Sequence, residues 1–430
     1  MTWFWLDGVI ITPDAASYID MISAREPGYS TYLWIFRTIF GNETYMEAAV
    51  VGQCLLAAVA ACVLVQGLQR RFSFGYFIAT SILVIQYGIT LLNRFVAQRR
   101  YSYYNSIETE AITYSLWIFF FLSLLGIIYD KKKTSIVMAF VWCVLLMSTR
   151  KQLAISFCIL FCVLLFVWWK EKKWLKTILL SLSIMVLGLG TVRLLDYTYN
   201  YVFRGQFAPH TGDSSFFFGT EVYVANEEML KYIDSQSNRD LFQEILKRAD
   251  EQQYNSKYAG EGWHNIEDHY SECYDRIKFD IVNVVIREDQ IRRGIDESER
   301  DAESNQIINE MSKDILLPCL PGMIKIACSN FVHGFITTIL KVHRLLNWVA
   351  LMMYICYITL LILILVRNKA KQSSVGLMAI LVLVAIAINV VVTSLVIYPQ
   401  MRYMLYNTAL FYQAGLLMIR EWWLTRENKS

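Results

Sequence analysis

The sequence predicts an all-α multi-pass transmembrane bundle of about nine or ten spans, with a mostly helical extracytoplasmic domain before the last three spans. Two observations support this prediction. First, 56% of the 430 residues are hydrophobic, and several apolar runs approach the ~20 residues that a helix needs to cross a bilayer. Second, the stretch from Asp196 to Leu320 holds 25 Asp and Glu against 13 Lys and Arg. A segment with this many charges is expected to lie outside the bilayer, in contact with water.

Nine apolar segments are predicted to cross the membrane, six in an N-terminal region (residues 1–195) and three in a C-terminal region (residues 345–430). Residues 1–11 are apolar but too short to span, so two expectations stay open: the true start lies upstream, or these residues are the stub of a first helix. In chain order the nine segments are Met46–Leu68, Phe74–Asn93, Ala111–Tyr129, Thr134–Ser148, Leu153–Trp169, Thr177–Leu195, Leu345–Val366, Ser374–Tyr398 and Leu405–Trp423.

The middle region, residues 196–344, is predicted to be an acidic helical domain that ends in an interfacial helix. Apolar residues recur there at helical spacing. Pro318 and Pro321 are expected to bracket a turn, and the amphipathic pattern from Gly322 to Asn347 predicts the interfacial helix.

Lysine and arginine predict the orientation of the spans, because they are enriched in cytoplasmic loops. If every predicted span crosses once, the basic clusters at residues 69–71, 131–133, 170–173, 367–371 and 420–429 all lie on one side. That side is expected to be the cytoplasm, and the chain is expected to lie in the plasma membrane. The extracytoplasmic face then carries the acidic domain and the segments Pro13–Tyr45, Arg94–Glu110, Arg150–Lys151 and Pro399–Tyr403.

The first outer segment contains a short polar interruption, residues 11–30, in an otherwise apolar N-terminus. A carboxylate beside a membrane-embedded segment costs free energy unless it is solvated or paired, and such a group is a candidate functional residue. Asp14 is therefore the first candidate for a catalytic base. Asp20 is the second, because it could face the same side if this segment is helical. The alternative for Asp14 is a helix N-cap.

The other outer loops supply arginines, tyrosines and further carboxylates. Arginine grips phosphate bidentately, and tyrosine favours the headgroup level, so this combination predicts a lipid-phosphate site. Each residue also has a structural explanation: an interfacial tyrosine belt, solvated loop charges, acids at a helix start or ion pairing. The candidate substrate-binding residues are Tyr18, Arg99, Arg100, Tyr103, Glu108, Glu110, Arg150, Lys151, Arg402 and Tyr403.

The histidines and cysteines indicate no soluble-enzyme chemistry. The five histidines lack a recognised metal-binding spacing, and no nucleotide-binding or hydrolase motif is present. No metal site is predicted from them. A disulfide among Cys273, Cys319 and Cys328 stays open. No polybasic tract indicates nucleic acid as a partner.

Four stretches give the chain a resemblance to a known family: PDAASY (Pro13–Tyr18) with the following PGYSTYLWIF, IETEAITYSLW (Ile107–Trp117), LLMSTRKQLAI (Leu145–Ile155) and YPQMRYMLY (Tyr398–Tyr406). In the order of these stretches, and in the side of the membrane that they are predicted to face, the chain resembles the GT-C superfamily of membrane glycosyltransferases. It resembles in particular the mannosyltransferases and aminoarabinose transferases that use a polyprenyl-phosphate sugar. The resemblance implies that Asp14 is the general base and that the arginines hold the lipid phosphate.

The expected function is therefore transfer of a sugar, with inversion, from a polyprenyl-phosphate carrier to a glycan, lipid or protein of the cell envelope. No cofactor is expected; a divalent metal is compatible with this chemistry but is not favoured. Three alternatives stay open: a polysaccharide polymerase or ligase, a lipid-linked saccharide flippase or other transporter, and a binding or scaffold protein. The first would rely on outer-loop arginine and histidine, including His210, rather than on Asp14.

Overall fold

A computed structural model describes residues 2–96, 103–169, 174–212, 214–339, 346–367 and 373–427. The described chain is almost entirely helical, with two short strands. The N-terminal region begins with three short elements and continues with six longer helices and a second short strand, β2. These are α1 (Thr2–Asp7), β1 (Ile10–Ile11), α2 (Ala15–Ile19), α3 (Pro27–Phe72), α4 (Tyr76–Val96), β2 (Ser106–Ile107), α5 (Glu110–Leu125), α6 (Lys133–Thr149), α7 (Ile155–Trp169) and α8 (Trp174–Arg204).

Helix α3 is 46 residues long and starts within the segment that the sequence assigned to an outer loop. Pro27 occupies its first turn, where a missing N–H costs nothing. At about 1.5 Å per residue the helix would be roughly twice as long as the bilayer core is thick. Gly41 interrupts it with φ 76° and ψ 173°, a conformation that favours glycine. The helix is therefore kinked between a first part before Gly41 and a longer apolar part after it.

The middle region forms its own hydrophobic core from five helices. They are α9 (Ser214–Val224), α10 (Gln236–Glu251), α11 (Trp263–Arg276), α12 (Asn283–Arg293) and α13 (Glu297–Ile339). The prediction that Pro318 and Pro321 bracket a turn is wrong, because both prolines lie inside α13. Next to these prolines, Gly322 allows α13 to pack closely against the end of α9, because a Cβ at this position would lie 2.8 Å from Val224 Cβ.

The C-terminal region consists of α14 (Leu346–Arg367), α15 (Ser374–Val396), α16 (Met401–Met404) and α17 (Thr408–Glu427). Within the described residues, seven helices are long and apolar enough to cross a membrane, and two further apolar helices, Tyr76–Ile89 and Lys133–Thr149, are shorter. The all-α bundle is thus confirmed. Six of the nine predicted spans are among these seven, and the seventh is Glu297–Ile339. The three predicted spans that are not among them correspond to the two shorter helices and to the last helix, α17.

Candidate functional site

The two short strands hold the first outer segment against the second. They pair in parallel, with Ile10 opposite Ser106 and Ile11 opposite Ile107. Thr12 Oγ1 donates a hydrogen bond to the Ile107 carbonyl at 3.0 Å. Thr12 and Ile107 are 95 residues apart in the sequence. Their contact therefore brings the start of α2 next to the start of α5.

Asp14 occupies the N-cap position of α2, but its side chain makes no capping hydrogen bond. Its carboxylate instead pairs with two arginines: Oδ1 lies 2.7 Å from Arg25 Nη2, and Oδ2 lies 3.3 Å from Arg402 Nη1. Arg25 also donates to Ser17 Oγ at 2.7 Å and to the Tyr18 hydroxyl at 3.2 Å. Partial burial raises the pKa of Asp14, but the two guanidiniums outweigh it and hold this pKa below its ordinary value.

Arg402 and Arg150 both lie over the ring of Tyr403. The guanidinium carbon is 5.0 Å from the ring centroid for Arg402 and 4.7 Å for Arg150, within the range of cation–π attraction. Arg402 Nη2 also donates to the Tyr403 hydroxyl at 3.0 Å. Arg150 pairs in turn with the carboxylate of Glu110, which is 2% exposed. We call Arg25, Asp14, Arg402, Tyr403, Arg150 and Glu110 the arginine–tyrosine cluster.

Hydrogen bonds to the backbone of α16 fix the position of Arg402 and Tyr403. The Tyr114 hydroxyl donates to the Arg402 carbonyl at 3.1 Å. The Tyr403 carbonyl accepts from Gln152 Nε2 at 3.2 Å and from Asn389 Nδ2 at 3.0 Å. Helices α5 and α15 and the short turn before α7 therefore position the same four-residue helix.

The start of α3 packs closely against the end of α6, next to Arg150. A Cβ at Gly28 would lie 2.6 Å from Thr149 Oγ1 and 2.8 Å from the Ser148 carbonyl oxygen. Glycine is required for this approach. In the adjacent contact, Glu26 Oε1 accepts a hydrogen bond from the Lys151 backbone N–H at 2.8 Å. The first loop and the basic hairpin, far apart in sequence, are thereby joined.

One carboxylate near the cluster was not predicted from the sequence. Asp275 lies on α11, next to Tyr274, whose hydroxyl accepts a hydrogen bond from Gln400 Nε2 at 2.6 Å. Burial raises the pKa of Asp275, although the Tyr274 hydroxyl and the Arg402 charge act against it. The acidic domain therefore contributes to the surroundings of Arg402. The sequence contained no local signal for this, because Asp275 is one of many acids in that region.

Several predicted site residues lie elsewhere. Asp20 is exposed at the C-cap of α2, and the contacts that join Asp14 to Arg402 do not involve it. Tyr103 is fully buried with its ring edge against Tyr114. Glu108 is 2% exposed and accepts a hydrogen bond from Ser106 Oγ at 2.7 Å. The side chain of Lys151 is exposed. Arg99 and Arg100 lie outside the described residues.

A second polar cluster lies where α11, α13 and the segment before α16 meet. His264, Glu267 and Asp268 present potential metal-ligand atoms that all lie within 4.8 Å of one another. His333 Nδ1 lies 2.7 Å from Glu267 Oε1, and the Tyr398 hydroxyl lies 2.9 Å from His333 Nε2. The sequence held a partial signal for this cluster, since His264, Glu267 and Asp268 are spaced to share one helical face.

In comparisons with known proteins, no family model, curated protein or solved structure matches this chain.

Proposed function

We propose that this protein is an inverting glycosyltransferase of the GT-C type, which transfers a sugar from a polyprenyl-phosphate carrier to a cell-envelope acceptor. In this proposal the reaction takes place at the extracytoplasmic face of a multi-pass plasma-membrane protein with nine or ten spans. The observation that carries the proposal is the contact of Asp14 with Arg402 within the arginine–tyrosine cluster. It joins a carboxylate able to accept a proton with a guanidinium able to bind phosphate.

One unsatisfied guanidinium N–H of the cluster favours an anionic ligand. Arg402 Nε is buried and has no hydrogen-bond partner among the described residues. A buried donor without a partner costs free energy, and a phosphate oxygen of the carrier would satisfy it.

A small cavity adjoins the cluster, with room for about one water molecule. It lies between α4, α5 and α17, and Tyr114, whose hydroxyl contacts the Arg402 backbone, lines one part of it. The other lining residues are Gln86, Ile89, Ile118, Leu405, Tyr406, Ala409 and Leu410. In our proposal the phosphate of the carrier contacts Arg402 and Arg150, next to this cavity.

The proposed reaction is a single displacement. The acceptor hydroxyl attacks the anomeric carbon, its proton passes to Asp14, and the bond from that carbon to the phosphate oxygen breaks. The polyprenyl phosphate leaves with the bonding electrons, so the anomeric configuration inverts. Arg402 stabilises the charge that the phosphate gains. This sequence needs no cofactor and no covalent intermediate.

The two arginines on Asp14 also couple donor binding to base strength. They hold the pKa of Asp14 low, which makes the free carboxylate a weak base. Donor phosphate competes with Asp14 for Arg402, and each guanidinium that leaves a carboxylate allows its pKa to rise. Asp14 therefore becomes a stronger base when the donor is bound, which links proton transfer to the presence of substrate.

The test is the turnover of purified variants in a lipid-linked sugar transfer assay. General-base catalysis contributes typically ~10²–10⁴-fold in rate, so Asp14→Asn is expected to lose at least ~100-fold in turnover. Asp20→Asn is the matched control, because Asp20 is on the same helix and exposed. Full activity of Asp14→Asn, or a product that retains the donor's anomeric configuration, would refute the mechanism.

A polysaccharide polymerase or ligase is the second candidate, and one contact favours it. His210 Nδ1 lies 2.8 Å from Asp196 Oδ2, and the two side chains are 13% and 6% exposed. A carboxylate that orients an imidazole is an arrangement found for general bases. If His210→Gln abolished transfer while Asp14→Asn left it intact, this second function would replace the first.

A further inference from the structure

After α8 ends, the chain turns back and runs beside the helix that it has just left. Gly205 follows the last helical residue with φ 69°, the left-handed conformation that favours glycine at a helix end. The Asn200 side chain then donates a hydrogen bond to the Ala208 carbonyl at 2.6 Å, and Pro209 restricts the backbone that follows. We call residues 205–212 the return segment.

One buried carboxylate on α8 holds the return segment at His210. Asp196 Oδ2 accepts two hydrogen bonds from His210, one from the backbone N–H at 3.1 Å and one from ring Nδ1 at 2.8 Å. An ionised carboxylate only accepts hydrogen bonds, so the imidazole carries a proton on Nδ1. Asp196 is 4% exposed, and hydrogen bonds to a carboxylate that is removed from water are stronger than those in water. Asp196 precedes Asn200 by one helical turn, so the return segment is fixed at two neighbouring points on one face of α8.

The end of the return segment packs against the loop that leads to Arg25. The Thr211 backbone N–H donates a hydrogen bond to the Ser23 carbonyl at 2.9 Å. A Cβ at Gly212 would overlap the Ala24 carbonyl oxygen, so glycine is required for this approach. The two residues just before Arg25 are therefore in contact with the two residues just after His210.

Helix α8 also contacts the beginning of this loop. The Arg204 guanidinium donates a hydrogen bond to the Met21 carbonyl. Met21 has φ 53°, a conformation that costs a non-glycine residue free energy and that surrounding contacts must maintain. At the end of the loop, Arg25 Nη2 lies 2.7 Å from Asp14 Oδ1. The position of this guanidinium thus depends on residues 21–25, whose backbone is bound by α8 and by the return segment.

We propose that the contact between His210 and Asp196 positions Arg25 on Asp14, through the return segment and residues 21–25. His210 is then a positioning residue for the proposed glycosyl transfer and not its base. Positioning requires only a hydrogen-bond donor at the place of Nδ1, whereas a base requires a ring nitrogen that titrates. The inference rests on the proposed function for the effect of Arg25 on the reaction, and the contacts themselves do not depend on it.

Arg25 acts on the reaction through the charge of Asp14. Burial raises the pKa of Asp14, and the guanidiniums of Arg25 and Arg402 lower it below its ordinary value. Asp275, on α11, is a further carboxylate whose charge acts on Asp14. When Arg25 moves away, Arg402 alone opposes burial and the charge of Asp275, so the pKa of Asp14 rises. The base is then protonated at a higher pH, and the acidic limb of kcat/KM moves to higher pH.

Hydrogen exchange of the purified full-length protein tests the contact without an assay of activity. His210→Ala removes the ring donor, so the amides of residues 21–25 should exchange at least ~10-fold faster, as expected for loss of one hydrogen bond to a charged group. His210→Asn should restore the protection, because the Asn side-chain N–H can take the place of Nδ1–H. His269→Ala is the matched control and should leave this exchange unchanged, because His269 contacts Tyr223 and Gln253 in the acidic domain.

A second pair of variants leaves His210 and Asp196 intact, so its result does not depend on how the His210 variants fold. Gly212→Ala adds a methyl group that would meet the Ala24 carbonyl oxygen, and residues 21–25 should again lose protection. Gly190→Ala is the matched control on α8, because no atom of the described residues lies within 4 Å of a Cβ there.

The sugar transfer assay separates positioning from base catalysis. His210→Ala should move the acidic limb of kcat/KM to higher pH, in the same direction as Arg25→Gln, and His210→Asn should reverse this shift. Unchanged exchange of residues 21–25 in both His210→Ala and Gly212→Ala would overturn the proposal. Loss of transfer in His210→Asn with full protection of residues 21–25 would also overturn it, since a catalytic base behaves in this way. If exchange changes as expected but the unaltered protein transfers no sugar, the positioning contact stands and the proposed function fails.

Discussion

The ion pair between Arg150 and Glu110 allows a quantitative prediction about stability. Glu110 is 2% exposed and the Arg150 side chain is 13% exposed, so the pair is almost fully removed from solvent. Replacing Arg150 by Met removes one partner and takes its guanidinium away from the buried carboxylate of Glu110. Breaking a buried pair in this way costs about 3–5 kcal/mol. Loss of the cation–π contact with Tyr403 adds roughly 0.5–2 kcal/mol. Arg150→Met should therefore lower the free energy of unfolding by at least ~3 kcal/mol.

A double-mutant cycle separates the pair from other effects. Unfolding would be measured by denaturant titration in mixed micelles for Arg150→Met, Glu110→Gln and the double variant. Because Gln carries no charge, the double variant should be more stable than Arg150→Met alone. Lys151→Met, at the exposed neighbouring position, is the control and should change stability by less than ~0.5 kcal/mol. A loss below ~1 kcal/mol for Arg150→Met, with no recovery in the double variant, would contradict the role given to this pair.

Two further predictions concern pH and topology. Burial raises the pKa of the Glu221 carboxyl to about 8, against an ordinary value of 4.5. The folded state therefore binds the proton of this carboxyl more tightly than the unfolded state does. The free energy of unfolding should consequently fall as pH rises from about 4.5 to 8. In thermal unfolding, Glu221→Gln should be more stable than the unaltered protein at pH 8.5 and equally stable at pH 4. If the difference in stability were the same at both pH values, the raised pKa of Glu221 would be excluded as its cause. The charge pattern predicts that the acidic domain lies outside the cell. In intact cells, a membrane-impermeant thiol reagent should therefore modify Lys257→Cys but not Lys132→Cys. The reverse labelling pattern would contradict the proposed orientation.

The membrane helices could be predicted from the sequence because hydropathy is a local property. The segments around α5, α7 and α15 were recognised within a few residues of their observed ends. The continuous helix through Pro318 and Pro321 could not be predicted from the local proline signals. In this part of α13, Gly322 packs against Val224 on another helix, a contact between residues almost a hundred positions apart in the sequence.

The candidate site was predictable only in part, for the same physical reason. Topology indicated that Asp14 and Arg402 lie on one face, and the structure brings them into contact at 3.3 Å. Arg25 was missed because its single charge in a loop has no distinctive pattern. Asp275 and His333 were missed because their environment is created by burial between helices. Neither burial nor pairing across more than a hundred residues leaves a local mark in the sequence.

If the arginine–tyrosine cluster holds the phosphate of a lipid carrier, purified Arg402→Ala should bind a short-chain polyprenyl phosphate with lower affinity than the unaltered protein. Loss of a charge-assisted pair to a buried phosphate costs about 2–5 kcal/mol, so affinity should fall by at least ~30-fold. Arg402→Lys should recover only part of it, because lysine lacks the bidentate fork.

Arg193→Ala is the matched control for this measurement, since Arg193 is an exposed arginine that also lies over a tyrosine ring, 5.3 Å from the centroid of Tyr197. We expect unchanged binding for Arg193→Ala and a large loss for Arg402→Ala. Equal affinity of Arg402→Ala and the unaltered protein would contradict it.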